Sequence, residues 1–202
     1  METIKKTIEN DEEYLRKISK PIDFKNDDLK TAIETLEYYC TNNDNNLAIA
    51  ANQLGMPLRL IYLKKTDIDR LDEDYNEARI LINPKIIKSE GLTTYWEACA
   101  SCLDLTGLVK RPYKIEVEYY DINKIQHIET FIGFSATVLS HEIDHLDGIL
   151  HIDIAEEVLD MTQEERKKFR KNNPYKVLRE DGEYIHPTNN KSSLKHIRSK
   201  VK

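Results

Sequence analysis

The feature that most constrains this sequence is the segment 135–147, whose apolar residues recur at helical spacing. Leu139, Ile143 and Leu146 share one face of a helix, and neighbouring positions make a second side apolar as well. A helix that is apolar on most sides is surrounded by the rest of its protein. The pattern therefore predicts a buried central helix that ends at Gly148.

This helix carries the pattern His141-Glu142-x-x-His145. Residues four apart lie on the same helical face, so both imidazoles could bind one metal ion. A carboxylate next to the first ligand reaches a water on that ion and accepts its proton. Without such a centre, each unpaired buried polar group would cost about 1–3 kcal/mol. The motif therefore predicts a hydrolytic metal site.

Two histidines leave a metal site incomplete, and the residues alone leave four completions open. His151 extends the motif to the metzincin protease pattern. Glu164 or Glu165 could supply a carboxylate, although a helix cap is their more ordinary role. Cys99 and Cys102 could close a four-ligand site, although their distance from the helix is unlike that of a zinc finger. Cys99 alone would leave one position for water.

The other patterns predict a small α+β domain with little regular repetition. Alternation of apolar and polar residues indicates strands, and a period near 3.6 indicates helices. Strands are predicted over 58–63, over 80–82 with an end at Asn83–Pro84, over 115–120 and over 128–132, and helices over 29–40 and 162–171. We expect small mixed or antiparallel sheets packed around the central helix.

Composition narrows the class of protein further. The chain has 202 residues and three cysteines, too few for a disulfide scaffold, and no apolar run long enough to span a membrane. We therefore expect a soluble cytoplasmic protein. The net charge of −6 divides into +9 from residue 166 onward and −15 before it. A basic tail on an acidic body is typical of a protein with a polyanionic partner such as RNA.

Three segments, in order along the chain, resemble the motifs of the peptide deformylase family. The family patterns are G-Φ-G-Φ-A-A-x-Q, E-G-C-L-S and H-E-x-D-H-L-x-G. Here they read as Asn46-Leu-Ala-Ile-Ala-Ala-Asn-Gln53, Glu97-Ala-Cys-Ala-Ser101 and His141-Glu-Ile-Asp-His-Leu-Asp-Gly148. The resemblance extends from about Leu15 to Asp153, whereas a metzincin would account for the third segment only.

This resemblance implies a hydrolase that removes the N-formyl group from the initiator methionine of nascent polypeptides. By the match, Cys99, His141 and His145 hold one divalent metal ion, most often Fe²⁺ in this family, with Zn²⁺, Ni²⁺ or Co²⁺ as substitutes. Metal-bound water attacks the formyl carbon, and Glu142 takes its proton and delivers it to the leaving amine. The fold implied is the α+β fold of that family, with the motif helix at its centre.

The resemblance also implies the residues that receive the substrate. The side-chain amide of Gln53 and the backbone N–H of Ala100 would stabilise the developing oxyanion. Next to His141, five residues are expected to bind the methionine side chain and the peptide: Leu47, Ala48, Phe134, Thr137 and Val138. We expect residues 1–160 to form the catalytic domain, with a C-terminal helix and basic tail over 161–202 that could contact the ribosome.

The sequence departs from the family pattern near the substrate. Asn46, Ala48 and Ala98 replace glycines, and Ala100 replaces a leucine. Glycine is required where φ is positive or where the backbone approaches another group closely. Two alternatives follow, a deformylase-like peptide binder with little activity and, less favoured, a metzincin-type endoprotease that uses His151.

Overall fold

A computed structural model describes residues 5–25, 29–43, 46–64, 78–179, 182 and 184–185. Its α-helices are α1 (Glu12–Leu15), α2 (Leu29–Thr41), α3 (Phe134–Leu146), α4 (His151–Ile154) and α5 (Gln163–Asn172), with a 3₁₀ turn over Ala51–Leu54. Its strands are β1 (Ala48–Ala50), β2 (Leu60–Leu63), β3 (Arg79–Glu90), β4 (Leu92–Ala98), β5 (Leu105–Arg111), β6 (Lys114–Tyr120), β7 (Gln126–Ile132), β8 (Glu157–Asp160), β9 (Lys176–Leu178) and β10 (Tyr184–Ile185). The part of the predicted basic tail from residue 186 onward lies outside the described residues.

The strands form two sheets of five strands each. The first sheet has the order β1-β2-β3-β6-β7, and the second has the order β10-β9-β4-β5-β8. Every pairing between neighbouring strands is antiparallel. Together with the helices, this arrangement confirms the predicted α+β class.

The predicted central helix is α3, and it packs against the first sheet. Leu139, Ile143 and Leu146 lie in one buried cluster with apolar side chains of that sheet, among them Ile61, Leu81, Ile115, Val117 and Phe131. Full burial of one such side chain contributes about 1.5–3 kcal/mol. Gly148 ends the helical segment at φ +76°, and a Cβ there would lie 2.3 Å from the carbonyl oxygen of Arg16. Glycine is thus required both by its backbone conformation and by this close approach.

The strand predicted over 80–82 is longer than expected, and its predicted end at Asn83–Pro84 is wrong. β3 continues to Glu90, because a bulge absorbs the residues that would otherwise break the ladder. Asn83 adopts a left-handed φ of 54°, and its side-chain amide bonds both the N–H and the C=O of Ile22. The pairing with β6 then resumes at Lys85. A proline is tolerated at a bulge because no ladder hydrogen bond is needed there.

The C-terminal segment packs on the second sheet. As predicted, Thr162 and Glu165 form a capping box at the start of α5. The ring of Phe169 then meets the ring of Trp96 on β4 edge to face, with centroids 4.9 Å apart. β9 follows α5 and pairs with β4 on the other side from β5. The strand that leads into the second sequence motif is therefore paired on both edges.

Candidate active site

Three short segments bring the motif residues together. Gln53 lies in the 3₁₀ turn that follows β1 in the first sheet. Cys99 follows β4, at the end of a central strand of the second sheet. His141 and His145 lie one turn apart on α3. The site therefore forms where α3 and the two sheets meet.

Cys99, His141 and His145 form a group suited to a metal ion. One ligand atom from each residue lies within 4.8 Å of the others, and the Cys99 Sγ is 3.1 Å from the His145 Nε2. A thiolate with two imidazoles suits Fe²⁺, Co²⁺, Ni²⁺ and Zn²⁺ better than the hard ions Mg²⁺ and Ca²⁺. Three protein ligands also leave a coordination position for water. These donors therefore fit the group that the sequence implied.

The other residues that could complete the metal site are less well placed. The His151 ring lies near the His141 ring, with centroids 5.6 Å apart, but His151 is not part of the donor group that the described residues contain. Glu165 accepts hydrogen bonds from the N–H and hydroxyl of Thr162, as a capping residue does. Cys102 is buried and also lies outside that donor group.

A buried ion-pair network orients His141. Its Nδ1 lies 2.8 Å from Glu97 Oε2, which leaves Nε2 for a metal ion. Arg111 binds both oxygens of Glu97, at 2.8 and 3.0 Å, and also bonds Asp144. Burial opposes ionisation of Glu97, but the hydrogen bonds from His141 and Arg111 outweigh it and lower the pKa to about 2. Glu97 therefore stays a carboxylate that holds the His141 ring in one orientation.

Glu142 has the opposite environment. Its side chain is 6% exposed, and its Oε2 has no hydrogen-bond partner in the part of the chain that the structure describes. Burial raises its pKa, although the neighbouring His141 and His145 act in the other direction. A carboxylate whose pKa is raised toward neutrality accepts and returns a proton more readily. Glu142 is thus suited to general base and general acid chemistry.

Gln53 connects the first sheet to the cysteine turn. Its Oε1 accepts from the Ala50 N–H at 3.0 Å. Its Nε2 donates to Ser101 Oγ at 3.0 Å and lies 3.4 Å from Cys99 Sγ. Both ends of the amide are therefore fixed, with its NH₂ group toward the metal donors. Ala100 lies in the same turn as Cys99 and lines a cleft beside the metal donors.

The cleft beside these groups has a volume of about 150 Å³. All five predicted substrate-binding residues line it: Leu47, Ala48, Phe134, Thr137 and Val138. Two further lining residues were not foreseen, Tyr95 and Arg170. The guanidinium of Arg170 lies 4.7 Å from the Tyr95 ring centroid and donates to the Trp96 carbonyl at 2.9 Å. The capping box predicted the helix that carries Arg170 but not the side of that helix that faces the cleft.

The residues that replace family glycines are not in a glycine-like conformation. Among the described residues, those other than glycine with positive φ are Asn83, Leu103 and Lys124. Ala48 lies in a regular strand, and Ala98 ends another. Alanine at these positions therefore carries no backbone strain.

A buried HExxH helix with a cysteine completing its donor set, on antiparallel sheets, defines a class of metal-dependent hydrolases. The sequence profile of the family described as polypeptide deformylase matches residues 4–161. A protein of Clostridium acetobutylicum named peptide deformylase 2 is 36% identical over 150 residues, which cover 74% of this chain and 94% of that protein. The chain therefore belongs to the peptide deformylase family.

Solved structures agree with this assignment. A peptide deformylase of Synechococcus elongatus in complex with actinonin has 26% identity and a TM-score of 0.67, with 85% of each chain covered. A probable peptide deformylase of Synechococcus phage S-SSM7 has 31% identity and a TM-score of 0.63, with 75% of this chain and 98% of that chain covered.

The family is one of metal-dependent hydrolases that remove the formyl group from nascent polypeptides. The predictions of the family, of its hydrolase activity and of the α+β fold are thus confirmed. Among the described residues, no helix combines the length and the apolar composition needed to cross a membrane.

Proposed function

We propose that Cys99, His141 and His145 hold one divalent metal ion, Fe²⁺ first and Zn²⁺, Ni²⁺ or Co²⁺ as substitutes. The proposal is supported by the three donor atoms within 4.8 Å of one another and by the Glu97 carboxylate bonded to His141 Nδ1. When bound, such an ion acts as a Lewis acid that lowers the pKa of water and polarises the formyl oxygen.

The observation that carries the proposed chemistry is the buried carboxylate oxygen of Glu142, which lies next to the first histidine and has no hydrogen-bond partner in the described ranges of the chain. Glu142 takes the proton of the attacking water and delivers it to the methionine nitrogen as the C–N bond breaks. The Gln53 amide and the Ala100 backbone N–H donate hydrogen bonds to the formyl oxygen as its negative charge develops. The hydrogen bonds of Gln53 to Ala50 and Ser101 already direct its amide group toward the metal donors before a substrate binds.

The cleft receives the formylated methionine. Phe134 and Val138 supply apolar surface. Leu47, just before the edge strand β1, and Ala48, on that strand, line the same cleft. The peptide runs along β1, whose outer edge offers backbone hydrogen bonds. Thr137 adds a hydroxyl 3.4 Å from that of Tyr175.

Formate release from a formyl-Met tripeptide tests this function. The iron-loaded protein should release formate, and Glu142→Gln should lower kcat by about 10²–10⁴-fold while it retains the metal. Cys99→Ser should lose the metal, whereas His151→Leu should keep it. Tight peptide binding without formate release would instead support a non-catalytic binder, and metal loss in His151→Leu with retention in Cys99→Ser would support the metzincin alternative.

We also propose that the protein acts in the cytoplasm, where nascent chains emerge, and that its parts are a catalytic domain over 1–160 and a C-terminal helix and tail over 161–202. The net charge of +9 from residue 166 onward supports contact with ribosomal RNA. Ribosome co-sedimentation at increasing salt tests this contact. Removal of residues 186–202 should weaken it, and unchanged, salt-independent association would exclude it.

A further inference from the structure

A second buried thiol lies beside the proposed metal-binding cysteine. Cys99 and Cys102 belong to one buried cluster with Leu15 and Leu150. The N–H of Cys102 donates to the Cys99 carbonyl at 3.1 Å, which closes a turn with these two cysteines at its ends. The end residues of such a turn have Cα atoms less than about 7 Å apart, and disulfides span about 4.4–6.8 Å. The turn therefore holds the two cysteines at a separation that a disulfide can bridge.

The two thiols differ in their surroundings. The Cys99 sulfur lies 3.3 Å from the Ser101 nitrogen, 3.4 Å from the Gln53 amide nitrogen and 3.1 Å from His145 Nε2. The Cys102 thiol donates a hydrogen bond to the same sulfur. The two sulfur atoms are therefore neighbours, as formation of an S–S bond requires.

Access to the two sulfurs also differs. Cys99 lines the substrate cleft, whereas Cys102 is 0% exposed. A small oxidant that enters the cleft therefore meets Cys99 first. Cys102, at the other end of the turn, is then the thiol placed to attack an oxidised Cys99.

We propose that Cys99 and Cys102 form a reversible disulfide when a peroxide enters the cleft. The Cys99 thiolate attacks one peroxide oxygen, the O–O bond breaks, and a sulfenic acid and hydroxide form. The Cys102 sulfur then attacks the Cys99 sulfur and forms the S–S bond. The S–O bond of the sulfenic acid breaks, and its hydroxyl leaves as water with the Cys102 thiol proton. The two cysteines are oxidised by two electrons, and the peroxide is reduced.

The disulfide would inactivate the site reversibly. Cys99 no longer offers a thiolate, so two of the three donors proposed for the metal remain. Cys102 also captures the sulfenic acid before further peroxide converts it to the irreversible sulfinic acid. A thiol reductant restores both cysteines. The inference rests on the proposed function only for the release of metal, since the S–S bond itself is independent of formyl hydrolysis.

Zinc-loaded protein treated with hydrogen peroxide tests the inference, because zinc itself takes no part in redox reactions. Free thiols should fall from three to one, and the intact mass should fall by two hydrogen atoms. A chromogenic chelator should detect zinc released in step with thiol loss. Dithiothreitol should reverse both changes. Formate release is not needed as a readout, so failure of the proposed activity leaves this result interpretable.

Cys102→Val provides the main comparison, and Cys102→Ala is a second variant should valine not fit. In both, peroxide should add oxygen atoms to Cys99 that dithiothreitol cannot remove. Cys40→Ala is the matched control: burial raises the pKa of Cys40 to about 12, and its removal should leave the disulfide unaffected. Irreversible oxygen addition in the unaltered chain, or a disulfide that includes Cys40, would overturn the proposal.

Discussion

Glu97 joins the buried charged side chains beside the site into one network. Its two oxygens accept hydrogen bonds from Arg111 and contact His141, and all three residues lie at the junction of β4, β5 and α3. Loss of one member of a buried ion pair costs more than the pair itself contributes, because the remaining charge stays buried without a partner. A single carboxylate thus affects both folding and metal binding.

We expect Glu97→Gln to lower the free energy of unfolding by about 3–5 kcal/mol and the metal affinity by about 10–100-fold. Urea denaturation and competition with a chelator measure the two effects. Glu156→Gln is the control, since Glu156 pairs with Lys110 while 49% exposed, and such pairs contribute about 0–1 kcal/mol. Equal effects of the two substitutions would contradict the role of the buried network.

His151 is an example of a polar side chain that is buried among other side chains. It is 1% exposed, burial lowers its pKa to about 4, and neither ring nitrogen is hydrogen-bonded among the described residues. We expect His151→Leu to raise the free energy of unfolding of the metal-free protein by about 1 kcal/mol, because an unsatisfied buried group is removed. A loss of several kcal/mol on urea denaturation would show that the imidazole has an essential contact.

At the scale of elements, periodicity predicted the three longer helices and four strands of the first sheet, but no strand of the second sheet. α3, α5 and the β6–β7 hairpin follow from spacing alone, since a helix or strand with one buried face imposes that spacing. β3 was predicted too short, because Pro84 indicates an end in a sequence but is accommodated by a bulge in a sheet. The HExxH donors could be predicted because they lie within one helix.

The remaining parts of the site could not be predicted from local patterns. The position of Cys99 next to the histidines depends on how the two sheets pack, and only the family resemblance indicated it. Arg170 gave no signal at all, because a charged residue on a polar helix is ordinary and its contact with Tyr95 joins distant segments. The contact of Tyr175 with Thr137 likewise joins the segment before β9 to α3.

The contact between Tyr175, just before β9, and Thr137 should be sensitive to alkaline pH. Burial raises the pKa of its hydroxyl to about 12, with hydrogen bonds from Thr137 and Thr93 acting in the opposite direction. In the unfolded chain the hydroxyl ionises near pH 10. Because the folded state binds the proton more tightly, its stabilising effect is complete below pH 10 and is lost as pH rises from about 10 to 12.

We therefore expect the unfolding free energy of the unaltered protein to fall by about 1 kcal/mol more between pH 9 and 11 than that of Tyr175→Phe. Urea denaturation at the two pH values measures this difference. Tyr38→Phe is the control, because that side chain is 68% exposed on α2. An identical pH dependence in Tyr175→Phe and the unaltered protein would show that the hydroxyl is not constrained.

At the scale of the whole molecule, the family match ends at residue 161, but the packing continues. α5 and β9 cover β4 through Phe169 and through the hydrogen bonds of Arg170 to the Trp96 carbonyl. The C-terminal segment is therefore part of the wall of the cleft as well as a carrier of positive charge.

Two truncations separate these roles. A chain that ends at Asp160 should lose about 3 kcal/mol or more of unfolding free energy, because Trp96 and β4 lose their aromatic and strand partners. A chain that ends at Ile185 keeps α5 and β9 and should retain the stability of the full chain. Equal stability of both truncated chains in urea would show that residues 161–185 contribute nothing to the fold.

The sulfur donor follows a strand of the second sheet, and the nitrogen donors lie on the helix that packs against the first. A bound ion would therefore cross-link the two halves of the molecule, and its affinity would depend on their mutual alignment to within about 0.2 Å. A substitution far from the cleft that shifts one half against the other should thus weaken metal retention while the protein stays folded.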